Sequence, residues 1–162
     1  MHIRYILLLL VLLTAGCQPH YKANPEFRLV KGTVTFNGTP VEGAIVAFLP
    51  TDSSGLAAGG MTDASGNYTL TADNSLVAGA GTKPGKYKVT VKKVEIPVTQ
   101  DQLDFESGKI TREDLFKRRG MRKPVKPKHL LPEIYADQKT TPLELTVADQ
   151  KENVLDLNID KK

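Results

Sequence analysis

Leu29-Val30-Lys31-Gly32-Thr33-Val34-Thr35-Phe36, followed by Asn37-Gly38, repeats with a period of two. Val30, Gly32, Val34 and Phe36 share one face, while Lys31, Thr33 and Thr35 take the other. Both residues of Asn37-Gly38 tolerate positive φ, so the pair predicts a tight turn. The next run, Val41 to Leu49, is apolar on both faces, as a central strand requires. Gly43 inside it marks a bulge or a close backbone approach. Further out, the turn Asp63-Ala64-Ser65-Gly66-Asn67 leads into Tyr68 and Leu70 at strand spacing. Tyr87, Val89 and Val91 point inward from a strand whose Lys86, Lys88, Thr90 and Lys92 point outward. Leu143, Leu145 and Val147 predict another strand, and Leu155, Leu157 and Ile159 the last. Short strands separated by Gly, Pro and Asn turns predict an all-β, antiparallel sandwich.

Composition sets the outer bounds. A chain of 162 residues, 40% hydrophobic and 25% charged, suits one globular domain. The single cysteine excludes an internal disulfide and a zinc site built on several thiolates. Three histidines, at positions 2, 20 and 129, exclude a His-rich metal centre. The expectation is therefore of no metal and no cofactor.

The N-terminus reads as an address. A short basic head precedes the apolar run Ile6 to Leu13, whose eight residues would rise only about 12 Å as a helix, against a hydrocarbon core of roughly 30 Å. Small residues and then the lone Cys17 follow, which is the layout of an export signal. Leu13-Thr14-Ala15-Gly16-Cys17 resembles the lipobox of bacterial lipoproteins, with Thr14 standing where that pattern usually has Leu. The resemblance implies a signal peptide over residues 1–16 and a diacylglycerol on the thiol of Cys17, with fatty acyl chains such as palmitate as the membrane anchor. Gln18, in place of Asp, points by the family's sorting rule to the outer membrane. Export to the periplasmic side of the cell membrane or outer membrane is the expected localisation. Residues 17–27, polar and carrying Pro19 and Pro25, read as the lipidated cysteine and a tether. The folded module is expected over 28–162.

Residues 95–128 break the strand pattern and read as a basic, partly helical insertion. Thr111 caps a short helix with Glu113 and Asp114 in its first turn, Lys117, Arg118 and Arg119 in its last, and Gly120 as its stop. Lys109 to Lys128 holds nine Lys and Arg against two acids, a local charge of +7; the chain as a whole is +4, so everything else sums to −3. Lys117, Arg118, Arg119, Arg122 and Lys123 are the candidate contacts to an anionic surface such as lipid head groups, lipopolysaccharide or an acidic partner. The bland alternative is a solvated loop. Nucleic acid is disfavoured as a partner by the exported location, and the single aromatic of the basic run, Phe116, gives no stacking series, so none is expected.

Three segments also share a family likeness. Val30-Lys31-Gly32-Thr33-Val34-Thr35-Phe36-Asn37-Gly38-Thr39-Pro40-Val41-Glu42-Gly43-Ala44, Thr62-Asp63-Ala64-Ser65-Gly66-Asn67-Tyr68-Thr69-Leu70 and Pro84-Gly85-Lys86-Tyr87-Lys88-Val89-Thr90-Val91 resemble the carboxypeptidase regulatory-like domain. Leu131-Pro132-Glu133-Ile134-Tyr135-Ala136-Asp137 is similar to a subset found in small envelope lipoproteins. The resemblance implies a seven-stranded, transthyretin/Ig-like Greek-key sandwich without catalytic residues. Its motifs are turn and core positions, which specify fold far better than function.

A zinc peptidase would need three ligands and a base, and no His-Glu-x-x-His is present. The hydroxyisourate hydrolases, which share the transthyretin-like topology, carry several histidines and a Tyr-Arg-Gly-Ser terminus that this chain lacks. Asp63 to Asn67 offers oxygens to calcium, but an Asx-type turn explains the same residues. A Lys31–Asn158 crosslink is disfavoured because both residues take the outward faces of their strands. The resulting expectation is a non-enzymatic, lipid-anchored envelope protein with a structural role, or one of interaction with an envelope protein or glycan. The alternative is an accessory ligand- or carbohydrate-binding subunit of a transporter or secreted hydrolase, with Tyr21, Phe105 and Tyr135 as the stacking platforms. Partner identity and oligomeric state are open at this level.

Overall fold

The computed structural model describes residues 24–121 and 125–160. The signal segment, Cys17, most of the tether, Arg122 and Lys123 lie outside the described residues. In chain order the elements are β1 (Leu29–Phe36), β2 (Thr39–Pro40), β3 (Ile45–Pro50), β4 (Ala58–Met61), β5 (Asn67–Thr69), β6 (Thr71–Ala72), β7 (Gly85–Lys92) and β8 (Val94–Glu95). The helices α1 (Gln100–Glu106) and α2 (Arg112–Met121) follow, then β9 (Lys128–His129), a 3-10 turn at Glu133–Tyr135, β10 (Glu144–Val147), β11 (Glu152–Val154) and β12 (Leu157–Ile159). The result is a mixed strand-and-helix fold with several antiparallel pairings and a short, basic helical insertion.

β1 is the spine of the first sheet. Its alternation buries Val30 and Val34 completely and leaves Lys31 exposed, as its period of two requires. One edge pairs antiparallel with β5 and then β2. Asn37 (φ 49) and Gly38 (φ 78) make the β1–β2 turn with the positive φ angles that their types allow. The other edge pairs with β11 and then β12, and both of these pairings are parallel. This corrects the expectation of a wholly antiparallel chain. Side-chain alternation fixes the face of a strand but not its direction, and no hairpin ties β1 to strands more than a hundred residues later.

The last strand is also divided. Leu155 and Asp156 interrupt the ladder: the Leu155 N–H donates to the Lys31 carbonyl at 2.8 Å, while the Thr33 N–H donates to the Asp156 carboxylate at 2.8 Å. The Leu155 carbonyl turns toward Gly32 and accepts from the Tyr68 hydroxyl at 2.5 Å. A Cβ on Gly32 would lie 2.0 Å from that carbonyl oxygen, so only glycine fits there.

The second sheet runs β10-β7-β3-β4-β6, antiparallel throughout, with β3 central. The strand expected from Val41 begins only at Ile45, because Gly43 takes φ +65 and completes a turn instead of a bulge. Both sheets contribute to one buried cluster, including Val30, Val34, Leu157 and Ile159 from the first and Val46, Phe48, Val89 and Val91 from the second. Phe48 joins them, its ring 6.3 Å from that of Tyr68 and 5.9 Å from that of Tyr87. Thr90, expected outward, is buried (7% exposed).

Candidate functional site

The insertion at 95–128 leaves this body through a narrow neck. Val94 pairs with His129 and Glu95 with Lys128, and the Leu130 N–H donates to the Lys93 carbonyl at 2.9 Å. Beyond the neck, α1 is started by a capping box: the Gln102 N–H donates to the Thr99 hydroxyl, and the Thr99 N–H donates to the Gln102 side chain at 3.0 Å. Thr99-x-x-Gln102 is the sequence signal of this helix, which lies outside the charge pattern that marks α2.

α2 begins as its sequence predicts. The Asp114 N–H donates to the Thr111 hydroxyl at 3.2 Å, and the Thr111 hydroxyl and N–H both donate to the Asp114 carboxylate. Those two hydrogen bonds, the hydroxyl's being the stronger influence, hold the Asp114 carboxyl below its ordinary range. The helix passes Gly120, the expected stop, and is described through Met121.

The candidate cations divide into two groups. Lys117 pairs with Glu113 one turn back at 2.9 Å, and Arg118 reaches across to Asp101 of α1 at 3.2 Å. Asp101 is the one buried residue among those described in the insertion. Arg119 joins no ion pair among the described residues, and neither does Arg112, a cation absent from the sequence-based set. Arg112, Phe116 and Arg119 are spaced i, i+4, i+7, so they share one helical face. Asp114 and Arg118 lie on the far side of the helix, where Arg118 meets α1, and Leu115 sits between the two faces. The spacing was readable; which face α1 would cover was not.

Apolar side chains are also left in the open here. Ile96, Val98, Leu103, Phe116, Met121 and Val125 are exposed, with Phe116 at 64% and Met121 at 86%. No described residue between Val91 and Leu131 belongs to the core cluster.

The other candidates are structural. Asp63 accepts from the Ser65 and Asn67 N–H groups at 2.9 Å each, which makes an Asx turn; the Asn67 hydrogen bonds keep its carboxyl below the ordinary range. Lys31 pairs with Glu152, and Asn158 accepts from the Thr35 hydroxyl at 2.8 Å, both on exposed faces. Tyr135 is buried and Phe105 half-buried, so neither stands free as a stacking platform, and Tyr21 lies outside the described residues. His129 is exposed at the neck.

A shallow cleft of about 290 Å³ is lined by Glu26, Arg28, Ser54, Lys83, Pro84 and Asp149. Its cations are already met by carboxylates, Arg28 by Asp149 at 2.6 Å and Lys83 by Glu26 at 2.8 Å. Among the described residues no group of three or more His, Cys, Asp and Glu could hold a metal ion. No described helix is long and apolar enough to cross a membrane.

No protein-family model matches the chain, and no curated protein matches it in sequence. Among solved structures it is similar to the crystal structure of chlorocatechol 1,2-dioxygenase from Pseudomonas putida, at 13% identity and a TM-score of 0.32. The alignment covers 86% of this chain and 63% of that one, so this chain spans less than two thirds of that protein's length. A likeness of this order carries no inference about fold, substrate or chemistry.

Proposed function

We propose that this chain is a lipid-anchored, non-catalytic protein of the bacterial cell envelope, acting in structural support or in contact with an envelope protein or glycan. What carries this reading is the lone cysteine placed directly after an eight-residue apolar run and the small residues Ala15-Gly16. Each methylene buried in a bilayer contributes about 0.8 kcal/mol, so two or three acyl chains on Cys17 would hold the protein at a membrane stably. The polar tether then gives the folded body its reach. In the same proposal the two sheets form a transthyretin-like Greek-key sandwich of seven principal strands, related to the carboxypeptidase regulatory-like domain. Their common core and the turns at Asn37-Gly38 and Asp63–Asn67 support that assignment.

Asp52, Asp63, Asp114 and Asp156 all have lowered pKa values, held down by hydrogen bonds from Ser54, Asn67, Thr111 and Thr33. Such carboxylates brace turns and strand breaks.

Metabolic labelling with a fatty-acid analogue tests the anchor. The wild-type chain takes up the label and the Cys17→Ser chain does not; a mature protein that begins well past Cys17 and carries no acyl mass overturns the reading. Pull-down of the anchored protein from envelope extracts then separates a stable protein partner from a glycan.

A further inference from the structure

We infer that α2 makes a second, peripheral membrane contact, its Arg112–Phe116–Arg119 face lying on an anionic lipid surface. This deepens the membrane reading above and rests on it for location. The first observation is exposure. α2 has no buried residue, and no described residue of the insertion belongs to the core cluster. A ten-residue helix has little stability of its own in water, so a surface that covers its outer face would add to what the Thr111–Asp114 hydrogen bonds and the Asp101–Arg118 pair supply.

The second observation is the chemistry of that face. Phe116 stands between two arginines that join no ion pair among the described residues, one turn before it and one turn after. The acids of α1 do not pair with them: Asp101 faces Arg118, Asp104 is met by Gln100 at 2.9 Å and Lys109 at 3.8 Å, and Glu106 joins no ion pair among the described residues. An aromatic ring flanked by long cationic side chains fits the boundary between head groups and acyl chains. The ring enters the apolar layer while the guanidinium groups stay level with the phosphates. Met121, Ile96 and Val98 are further exposed apolar groups, spread over separate segments and not gathered into a groove for a single peptide. That dispersal, together with the charge, favours a lipid surface over a protein partner.

The chain contains no tryptophan, so an introduced one reports on its own site alone. The full chain carrying Phe116→Trp is to be bound to vesicles of phosphatidylglycerol mixed with phosphatidylcholine, with and without brominated acyl chains. The Leu76→Trp chain is the reference, because Leu76 is exposed in a loop remote in sequence from the insertion. The Phe116→Trp chain shows blue-shifted emission and bromine quenching about threefold stronger than the reference. Replacing Arg112 and Arg119 with Gln in that background weakens the partitioning of the helix by about fivefold per arginine. Vesicles of phosphatidylcholine alone give no more quenching than the reference. Emission that stays at its water-exposed position, quenching equal to the reference, or equal quenching on neutral vesicles overturns the proposal. So does capture of the helix by an envelope protein while the introduced indole remains unquenched by lipid. Acyl mass on Cys17 with an unquenched Phe116→Trp chain sinks this contact and spares the anchor. Quenching in a chain without acyl mass does the reverse.

Discussion

Phe48 and Phe116 are the same residue in two different settings. Phe48 sits in the centre of β3, fully buried between the rings of Tyr68 and Tyr87, while Phe116 stands on a helix with 64% of its surface in water. Around Phe48 each exchange with water is complete, and burial of a ring of that size contributes on the order of 2–3 kcal/mol. Around Phe116 no such gain has been taken. The two-sheet body is held by its interior; the insertion is held by hydrogen-bonded caps, ion pairs and a two-rung neck. Stability resides in the first region, and the second is free to spend its apolar surface elsewhere.

Four measurements test that contrast. The largest effect belongs to Phe48→Ala, which removes about 4 kcal/mol of unfolding free energy by urea titration. A loss below about 1 kcal/mol would mean that the two sheets do not share one core. Next comes pH. Asp156 has its carboxyl lowered by the Thr33 hydroxyl and, to a lesser degree, the Thr33 N–H. A lowered folded-state pKa stabilises above the ordinary value of 3.8 and ceases to do so as pH falls through the folded value. Asp156→Asn therefore costs about 1 kcal/mol at neutral pH, a figure already reduced for the group's exposure, and flattens the acid limb of stability against pH. At the alkaline end Tyr68 acts with the opposite sense. Burial, and then the charge of Asp156, raise its hydroxyl above the ordinary 10.0, so its stabilisation is complete below that pH and is lost as pH climbs toward the folded value. A wild-type chain equally stable at pH 8 and pH 11 would contradict this, whereas Tyr68→Phe lessens that alkaline loss. The smallest effect is that of Phe116→Ala, within about 0.5 kcal/mol of wild type in the same urea titration. A loss matching that of Phe48→Ala would place the ring inside the cooperative core and erase the distinction.

The body was far more legible than the insertion, for a physical reason. Period-two alternation is a local property, and it placed Val30, Val34, Tyr87, Val89, Val91, Leu157 and Ile159 on the buried faces that they occupy. Strand direction and partner are not local. The parallel pairing of β1 with β12, and the break at Leu155-Asp156, depend on a carboxylate and a tyrosine hydroxyl arriving from distant segments. Thr90 reads as an outward polar residue until neighbouring segments cover it. In the insertion, charge order announced α2 correctly, whereas the engagement of Arg118 by Asp101 needed the position of α1. That position left Arg119 open and brought Arg112 into the set. The standing of Cys17, Arg122 and Lys123 falls outside the described residues and rests on sequence.

The chain leaves for the insertion at Val94 and Glu95 and returns at Lys128 and His129, on facing rungs of one short ribbon. Entry and exit thus stand side by side, and what happens between them does not pull on the strands behind. Such a doorway lets evolution lengthen, trim or exchange the intervening cassette without renegotiating the rest of the architecture. It also marks the place where a protein engineer could graft a foreign hairpin.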